Sequence, residues 1–309
     1  MKRVVRVGTR GSRLALAQTR LVIRLLAARS RKTVFKIVVI KTKGDRDLSE
    51  ALFAGPNIGV FTKEIEKALL VNRIDIGIHS LKDLPTTLTR GLAIGAYCKR
   101  EDPRDCLVTR AGRSVRGLPS GAVIGTSSLR RRCQLSRARP DLRIVGLRGN
   151  LTTRLDRVRK GELDGAVVAT AGLKRIRAFT ARMRPLDPSL MLPCPAQGIL
   201  AVEIRALDTD TKALAAAAND LHAEREGLAE RELLKILEGG CRVPIGALAR
   251  SRKNGLSLEA VVYSVKNSGF LRASGRAGRS ADPLELARRV ARQLIRQGAK
   301  KFLYEARQS

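Results

Sequence analysis

Apolar and polar positions along the first two thirds of the chain switch between two periods: short buried runs that read as strands, and longer one-sided stripes that read as helices. Val4–Val7 predicts a strand, Gly8-Thr9-Arg10-Gly11-Ser12 a turn, and Leu14–Ala28 an amphipathic helix. Phe35–Ile40 reads as the next strand, Phe61–Val71 as a helix, Ile74–Ile78 as a buried strand and Leu92–Tyr97 as another. A second set repeats this logic. Val123-Ile124-Gly125-Thr126-Ser127-Ser128-Leu129 echoes Val5–Arg10: a strand ends in Gly-Thr, and a polar turn then opens a helix. Leu142–Leu147 reads as a strand, Leu151–Arg159 as a helix, and Leu163–Ala169 echoes Ile74–His79. The alternation predicts an α/β fold with mainly parallel sheets, built as two similar lobes.

The pattern then changes. After a strand at Leu200–Ile204, Lys212–Ala218 and Glu224–Leu237 read as helices, the second stopped by Gly239-Gly240 as glycine stops a helix C-terminus. Val243–Ala249, Leu256–Val262 and Phe270–Ala273 predict three short strands, with Leu284–Arg296 as a closing helix. This is the signature of a small α+β domain. A length of 309 residues with 44% apolar content accommodates two or three such cores, at roughly 100–200 residues per domain.

Charge alters the picture less than its size suggests. Lys+Arg total 61 against 28 Asp+Glu, a formal charge of +33, which first suggests nucleic acid. Yet the basic residues are spread from Lys2 to Arg307, and aromatics are only 3% of the chain, too few for the stacking platforms of a single-strand binder. No specific nucleic-acid partner is expected. The five cysteines (Cys98, Cys106, Cys133, Cys194, Cys241) form no CxxC pair and only two His are present, which argues against a zinc site and against a disulfide framework. Charges interrupt the apolar N-terminal residues, and no apolar run reaches the roughly 18 residues of a membrane span. A soluble cytoplasmic protein with no membrane partner and no metal is the expectation.

Candidate chemistry gathers at the turns. Both Gly-Thr turns place backbone N–H groups and Ser or Thr hydroxyls at a helix start, a ready anion site. Arg130-Arg131-Arg132 follow Ser127-Ser128, and cations in a first helical turn oppose the helix dipole unless an anion binds there. Arg148-Gly149-Asn150 precedes the helix that carries Arg154, and Lys174-Arg175 follow the Ala169–Gly172 turn. Each of these arginines taken singly reads equally as a solvated charge. Together they put cations at several strand-to-helix turns, where open α/β sheets bind ligands, and the ligand expected carries several carboxylates or phosphates. His79-Ser80-Leu81-Lys82-Asp83-Leu84-Pro85 follows a buried strand, and Pro85 holds Leu84 extended, so the segment reads as an extended loop. Asp83 there is either a turn former or an ionised carboxylate suited to stabilising a developing positive charge; His79 reads as a packed strand residue. Cys241, in Glu238–Pro244 beside Arg242, is the cysteine whose surroundings favour thiolate.

These segments form a set. Gly8–Ala15, His79–Pro85, Arg100–Asp105, Gly125–Arg131, Arg148-Gly149-Asn150 with Thr153-Arg154-Leu155, Ala171–Arg175, Gln197-Gly198 and Leu237–Pro244 together resemble the porphobilinogen deaminase (hydroxymethylbilane synthase) family, in order from about residue 4 to 250. The resemblance implies two lobes like those of periplasmic binding proteins with a cleft between them, plus a small C-terminal α+β domain. The corresponding boundaries are 1–98 with 199–217, 104–193, and 221–309. It implies stepwise head-to-tail condensation of four porphobilinogen molecules into hydroxymethylbilane, with release of ammonia, by a monomer active in tetrapyrrole and heme synthesis. It also implies a dipyrromethane cofactor joined by a thioether to Cys241. Asp83 would be catalytic, assisting ammonia loss and stabilising an azafulvene-like cation. Lys82, Ser128, Arg130 and Arg131 would hold the cofactor, and Arg10, Ser12, Arg148, Arg154 and Arg175 the substrate carboxylates, a task suited to bidentate arginine.

Two segments depart from the family pattern. Pro56-Asn57-Ile58-Gly59-Val60-Phe61 stands where many relatives carry Gly-x-Lys-Gly-Leu-Phe, so Ile58 replaces a lysine. Pro193-Cys194-Pro195-Ala196-Gln197-Gly198 partly replaces Leu-Pro-Ala-Val-Gly-Gln-Gly and adds a proline at a crossing between lobes. The carboxylates of a fully grown pyrrole chain number about twelve, so most of the basic excess lies outside this chemistry and is left to attract polyanions without selectivity.

Overall fold

The computed structural model describes residues 3–30, 32–42, 62–237, 243–267 and 269–308. Among them the strands are β1 (Arg3–Thr9), β2 (Thr33–Val39), β3 (Ile76–Ser80), β4 (Leu92–Tyr97), β5 (Asp105–Thr109), β6 (Val123–Gly125), β7 (Arg143–Val145), β8 (Gly165–Ala169), β9 (Arg184–Pro185), β10 (Leu200–Arg205), β11 (Ile245–Arg252), β12 (Gly255–Tyr263) and β13 (Phe270–Ala277). The helices are α1 (Arg13–Arg29), α2 (Lys63–Leu70), α3 (Leu129–Ala138), α4 (Leu151–Arg159), α5 (Thr170–Arg175), α6 (Thr209–Ala215), α7 (Leu221–Ile236), α8 (Pro283–Arg296) and α9 (Ala299–Gln308). They fall into two compact units, Met1–Glu101 with Ile199–Gly227, and Asp102–Gly198 with Leu228–Ser309.

The two five-stranded sheets share one topology. The first unit's sheet runs β2-β1-β3-β10-β4 and the second unit's β7-β6-β8-β5-β9. In each, the first three strands are parallel and the fourth is antiparallel to both neighbours, so one reversed strand interrupts otherwise parallel sheets. The register matches to the residue: Val7 pairs with Ile76 and Gly8 with Gly77, while Ile124 pairs with Gly165 and Gly125 with Ala166. On the reversed strand Leu200 faces Ser80, and Asp105 faces Ala169. The equivalence extends to side chains. Asp75 Oδ2 accepts from the Arg6 N–H at 2.8 Å, and Asp164 Oδ2 accepts from the Val123 N–H at 2.7 Å. Gly8 and Gly125 are both closely packed: a Cβ would lie 2.2 Å from Ile74 Cδ1 in one case and 2.7 Å from Leu147 and Leu163 in the other. The resemblance between the lobes therefore extends to strand order, register and local packing.

Each lobe packs its own core. Val5, Val7, Val22, Leu26, Ile76, Ile78, Val202 and Ile204 fill the first, with Ile65 and Leu69 of α2 packed on Ile74 in an adjoining cluster. In the second unit, Leu107, Ile124, Leu135, Val167 and Met191 lie on one side of the sheet, and Cys106, Leu147, Val168 and Leu173 form a separate cluster. The third sheet is the antiparallel β11-β12-β13. Helix α8 begins at Asp282, whose side chain accepts from the Leu284 N–H, with Pro283 in the first turn. Its Leu286, Val290 and Leu294, spaced four apart, bury one stripe against Ala247, Leu258 and Ala260.

Several elements differ from the sequence expectation. Strand β5 and the two-residue β9 carried no visible strand period, because β5 opens on a carboxylate and has only three apolar residues. Thr170–Arg175 is a short helix, not a turn, and α9 follows the helix expected to close the chain. The expected extended loop is interrupted: Leu81–Asp83 is a 3-10 turn, and Leu84 before Pro85 is extended, at φ −79° and ψ 135°. No helix among the described residues is long and apolar enough to cross a membrane.

Candidate functional site

In the first unit, Ser12 caps α1 by accepting from the Ala15 N–H at 3.2 Å, and Arg10 sits half-buried in the turn before it. Strand β3 ends at Ser80, whose hydroxyl accepts from Gln18 Nε2 at 3.0 Å. The chain then makes the Leu81–Asp83 turn with Leu81 buried, Lys82 half-buried and Asp83 exposed. The Leu81 N–H donates to the Ile199 carbonyl at 3.0 Å, which ties the turn to the segment leading into β10. Asp83 thus stands at the carboxyl end of a buried strand, as the sequence implied. His79 is a packed strand residue: it is 5% exposed, against Glu203.

In the second unit, Ser128 caps α3 by accepting from the Arg131 N–H. Arg130 and Arg131 do not face solvent. Arg130 Nη1 donates to Asp105 Oδ2 at 2.6 Å and to the Leu192 carbonyl at 2.7 Å. Arg131 donates to Asp105 Oδ1 from Nε at 3.0 Å and Nη2 at 2.7 Å, and from Nη1 to the Val167 carbonyl at 3.0 Å. Gln197 Nε2 adds a hydrogen bond to Asp105 Oδ1 at 3.0 Å and one to the Pro103 carbonyl at 2.8 Å. Burial alone would push the Asp105 carboxyl up; the charges of Arg130 and Arg131 outweigh it and hold the group well below the usual carboxylate range. The cluster is two buried cations on one buried anion.

The other arginines stand at neighbouring strand ends of the same sheet. Asn150 caps α4 after β7, accepting from the Thr153 N–H at 3.0 Å, and Arg154 turns its Nε onto the Gly149 carbonyl at 2.9 Å. Arg148 lies half-buried just before that cap. After β8, helix α5 carries Arg175, whose Nη2 donates to the Gly198 carbonyl at 2.5 Å. Lys174 points elsewhere, to within 4.0 Å of Asp102. Arginine therefore follows each of the three parallel strands β6, β7 and β8: Arg130 and Arg131 in the first turn of α3, Arg148 and Arg154 around the start of α4, and Arg175 at the last residue of the short α5. Cys241 and the Ile58 departure lie outside the described residues.

Sequence reasoning missed Asp105 and Gln197 as members of the arginine cluster. The signal for Asp105 was a carboxylate opening a short apolar run, Asp105-Cys106-Leu107-Val108, in a chain so rich in arginine that a buried acid must find one. Gln197 gave no such signal. The other departure has a backbone consequence: Ala196 takes φ +64° at the place where the family pattern has glycine. Its N–H and, at 2.6 Å, that of Ala249 donate to the fully buried Glu230 carboxylate.

Residues 5–213 match the family model for porphobilinogen deaminase, dipyromethane cofactor binding domain, and residues 225–296 match that of the porphobilinogen deaminase C-terminal domain. The chain belongs to the porphobilinogen deaminase family. It is 43% identical over 309 residues to the porphobilinogen deaminase of Desulforamulus reducens, covering 99% of each chain. It is 44% identical over 306 residues to that of Thermus thermophilus, covering 99% of this chain and 100% of the relative. Among solved structures, the probable amino-acid ABC transporter extracellular-binding protein ytmK from Bacillus subtilis aligns with 76% of this chain and 97% of its own, at TM-score 0.43 and 10% identity. Across this family's cofactor-binding domain, the donor set of the second lobe suits a polycarboxylate. Planar guanidinium groups, a capping serine and helix N-termini converge at one end of one sheet.

Proposed function

We propose that the chain is a working porphobilinogen deaminase, a transferase that condenses four porphobilinogen molecules into hydroxymethylbilane. The observation that carries this reading is the placement of Asp83: an exposed carboxylate at the end of a turn fixed to a buried strand. In each coupling, the bond from the aminomethyl carbon to nitrogen breaks and a bond to the α-carbon of the neighbouring pyrrole forms. Ammonia leaves with the proton that the α-carbon gives up. Positive charge develops on the pyrrole as the amine departs, and the Asp83 carboxylate stabilises it. When bound, the dipyrromethane supplies the pyrrole α-carbon to which the first ring is joined.

This chain's residues do the rest. Arg130 and Arg131 are pinned by Asp105 at the start of α3, so the positive charge they contribute at this end of the sheet is fixed before any carboxylate arrives, which lowers the cost of binding. Ser128 and Lys82 join them in holding the cofactor, and Cys241 forms the thioether. Arg10, Ser12, Arg148, Arg154 and Arg175 take the acetate and propionate groups of incoming rings, bidentately where the fork permits. Incubation of the purified protein with porphobilinogen is expected to release ammonia and give a product that cyclises to uroporphyrin I. Asp83→Asn is expected to slow ammonia release about a hundredfold or more, with fold retained. A folded wild-type protein that leaves porphobilinogen untouched overturns the proposal.

A further inference from the structure

The first lobe buries a histidine–glutamate contact that the second lobe does without. His79 Nε2 on β3 stands 2.9 Å from Glu203 Oε2 on β10, with the side chains 3% and 0% exposed. The contact lies off the line of a hydrogen bond, and among the described residues neither Glu203 oxygen has another hydrogen-bond partner. A buried carboxylate so poorly satisfied is a cost to folding. The shared register supplies the control. Ala201 pairs with His79 and Glu203 with Gly77; in the second lobe Cys106 pairs with Val168 and Val108 with Ala166. The residues equivalent to His79 and Glu203 are therefore Val168 and Val108, both buried. The residue equivalent to Gly77 is Ala166, and Gly77 is where a Cβ would lie 3.0 Å from His79 Nε2. Three positions differ together, and the apolar version makes the same sheet.

What the first lobe has at that strand end, and the second lacks, is the turn to Asp83; β8 instead runs straight into α5. The last two residues of β3 are held from opposite faces, because neighbouring strand residues point opposite ways. Ser80 accepts a hydrogen bond from Gln18 of α1, and His79 packs against Glu203 of β10. In the second lobe Ala169 and Val168 offer neither hold.

We propose that the His79–Glu203 pair is a positioning device that fixes the end of β3 and so sets the place of Asp83; the catalytic part of this rests on the function proposed above. The test is the double variant His79→Val/Glu203→Val, which writes the second lobe's own solution into the first, beside Glu203→Gln, which keeps the shape and removes the charge. Both are expected to fold. In the double variant, amide hydrogen exchange at Leu81 and Leu84, whose N–H groups donate to the Ile199 and Leu81 carbonyls, is expected to quicken about tenfold or more. Its kcat on porphobilinogen is expected to fall about tenfold or more with KM within about threefold, and Glu203→Gln is expected to lie between it and wild type. A double variant that does not fold, or that folds with unchanged exchange and unchanged kcat, overturns the proposal. If wild type itself leaves porphobilinogen untouched, the proposed function fails, and the exchange measurement alone decides the positioning claim.

Discussion

The two lobes are one backbone written in two chemistries. Where the second lobe buries Asp105, Arg130 and Arg131, the register and the matching helix caps place Leu200, Leu14 and Ala15 in the first. Where the first buries His79 and Glu203, the second has Val168 and Val108. Each lobe thus shows that the other's buried charges are unnecessary for the sheet. Buried ion pairs seldom stabilise a fold beyond a well-packed apolar replacement, and the roles proposed above give each buried set its use. The second lobe holds arginine forks at strand ends; the first holds one strand end and its aspartate.

The largest expected effect comes from breaking the second lobe's cluster by halves. Asp105→Ala strands two buried guanidinium groups and is expected to cost about 3–5 kcal/mol in denaturant unfolding. The triple variant Asp105→Leu/Arg130→Leu/Arg131→Ala, which copies the first lobe, is expected to cost less than that single change; if it costs more, the lobes are not interchangeable in this sense. Acid should expose the same cluster. The Asp105 carboxyl is held below its ordinary value, so its contribution is full above the ordinary carboxylate range, near pH 4, and is lost as pH falls through the lowered value. Wild type is accordingly expected to lose more stability on acidification than the triple variant.

A smaller effect separates the paired glycines. At Gly125 an added Cβ would meet Leu147 and Leu163 at 2.7 Å and the Leu147 Cβ at 3.0 Å, which the backbone holds in place. At Gly8 the closest clash is with the tip of Ile74, which can turn away. Gly125→Ala is expected to cost about 1–3 kcal/mol and Gly8→Ala less. Equal costs would mean that the two turns are packed alike. The smallest effect is a gain. Ala196 holds a left-handed backbone that glycine adopts without strain, and Ala196→Gly is expected to add about 1 kcal/mol to thermal stability.

Much of this was legible in the sequence, and the reasons are specific. The Gly-Thr turns announced both lobes because a glycine, a cap and an apolar strand fall at fixed spacing. The placement of Asp83 followed from a buried strand that ends shortly before the segment closed by Pro85. Strand β5 was hidden because its pairing partners lie 56 or more residues further along the chain, and its first residue is there for two arginines rather than for the sheet. Arg130 and Arg131 read as open anion sites because nothing local reveals the internal anion that claims part of their capacity. The equivalence of His79 and Glu203 with two valines needs the register, which only the pairing of strands supplies.

The most direct test of the central claim is the intact mass of the purified wild-type protein beside Cys241→Ser. The account predicts an excess of two pyrrole units over the sequence mass in wild type and none in the variant. A wild-type protein at its bare sequence mass that gains nothing on incubation with porphobilinogen would contradict it.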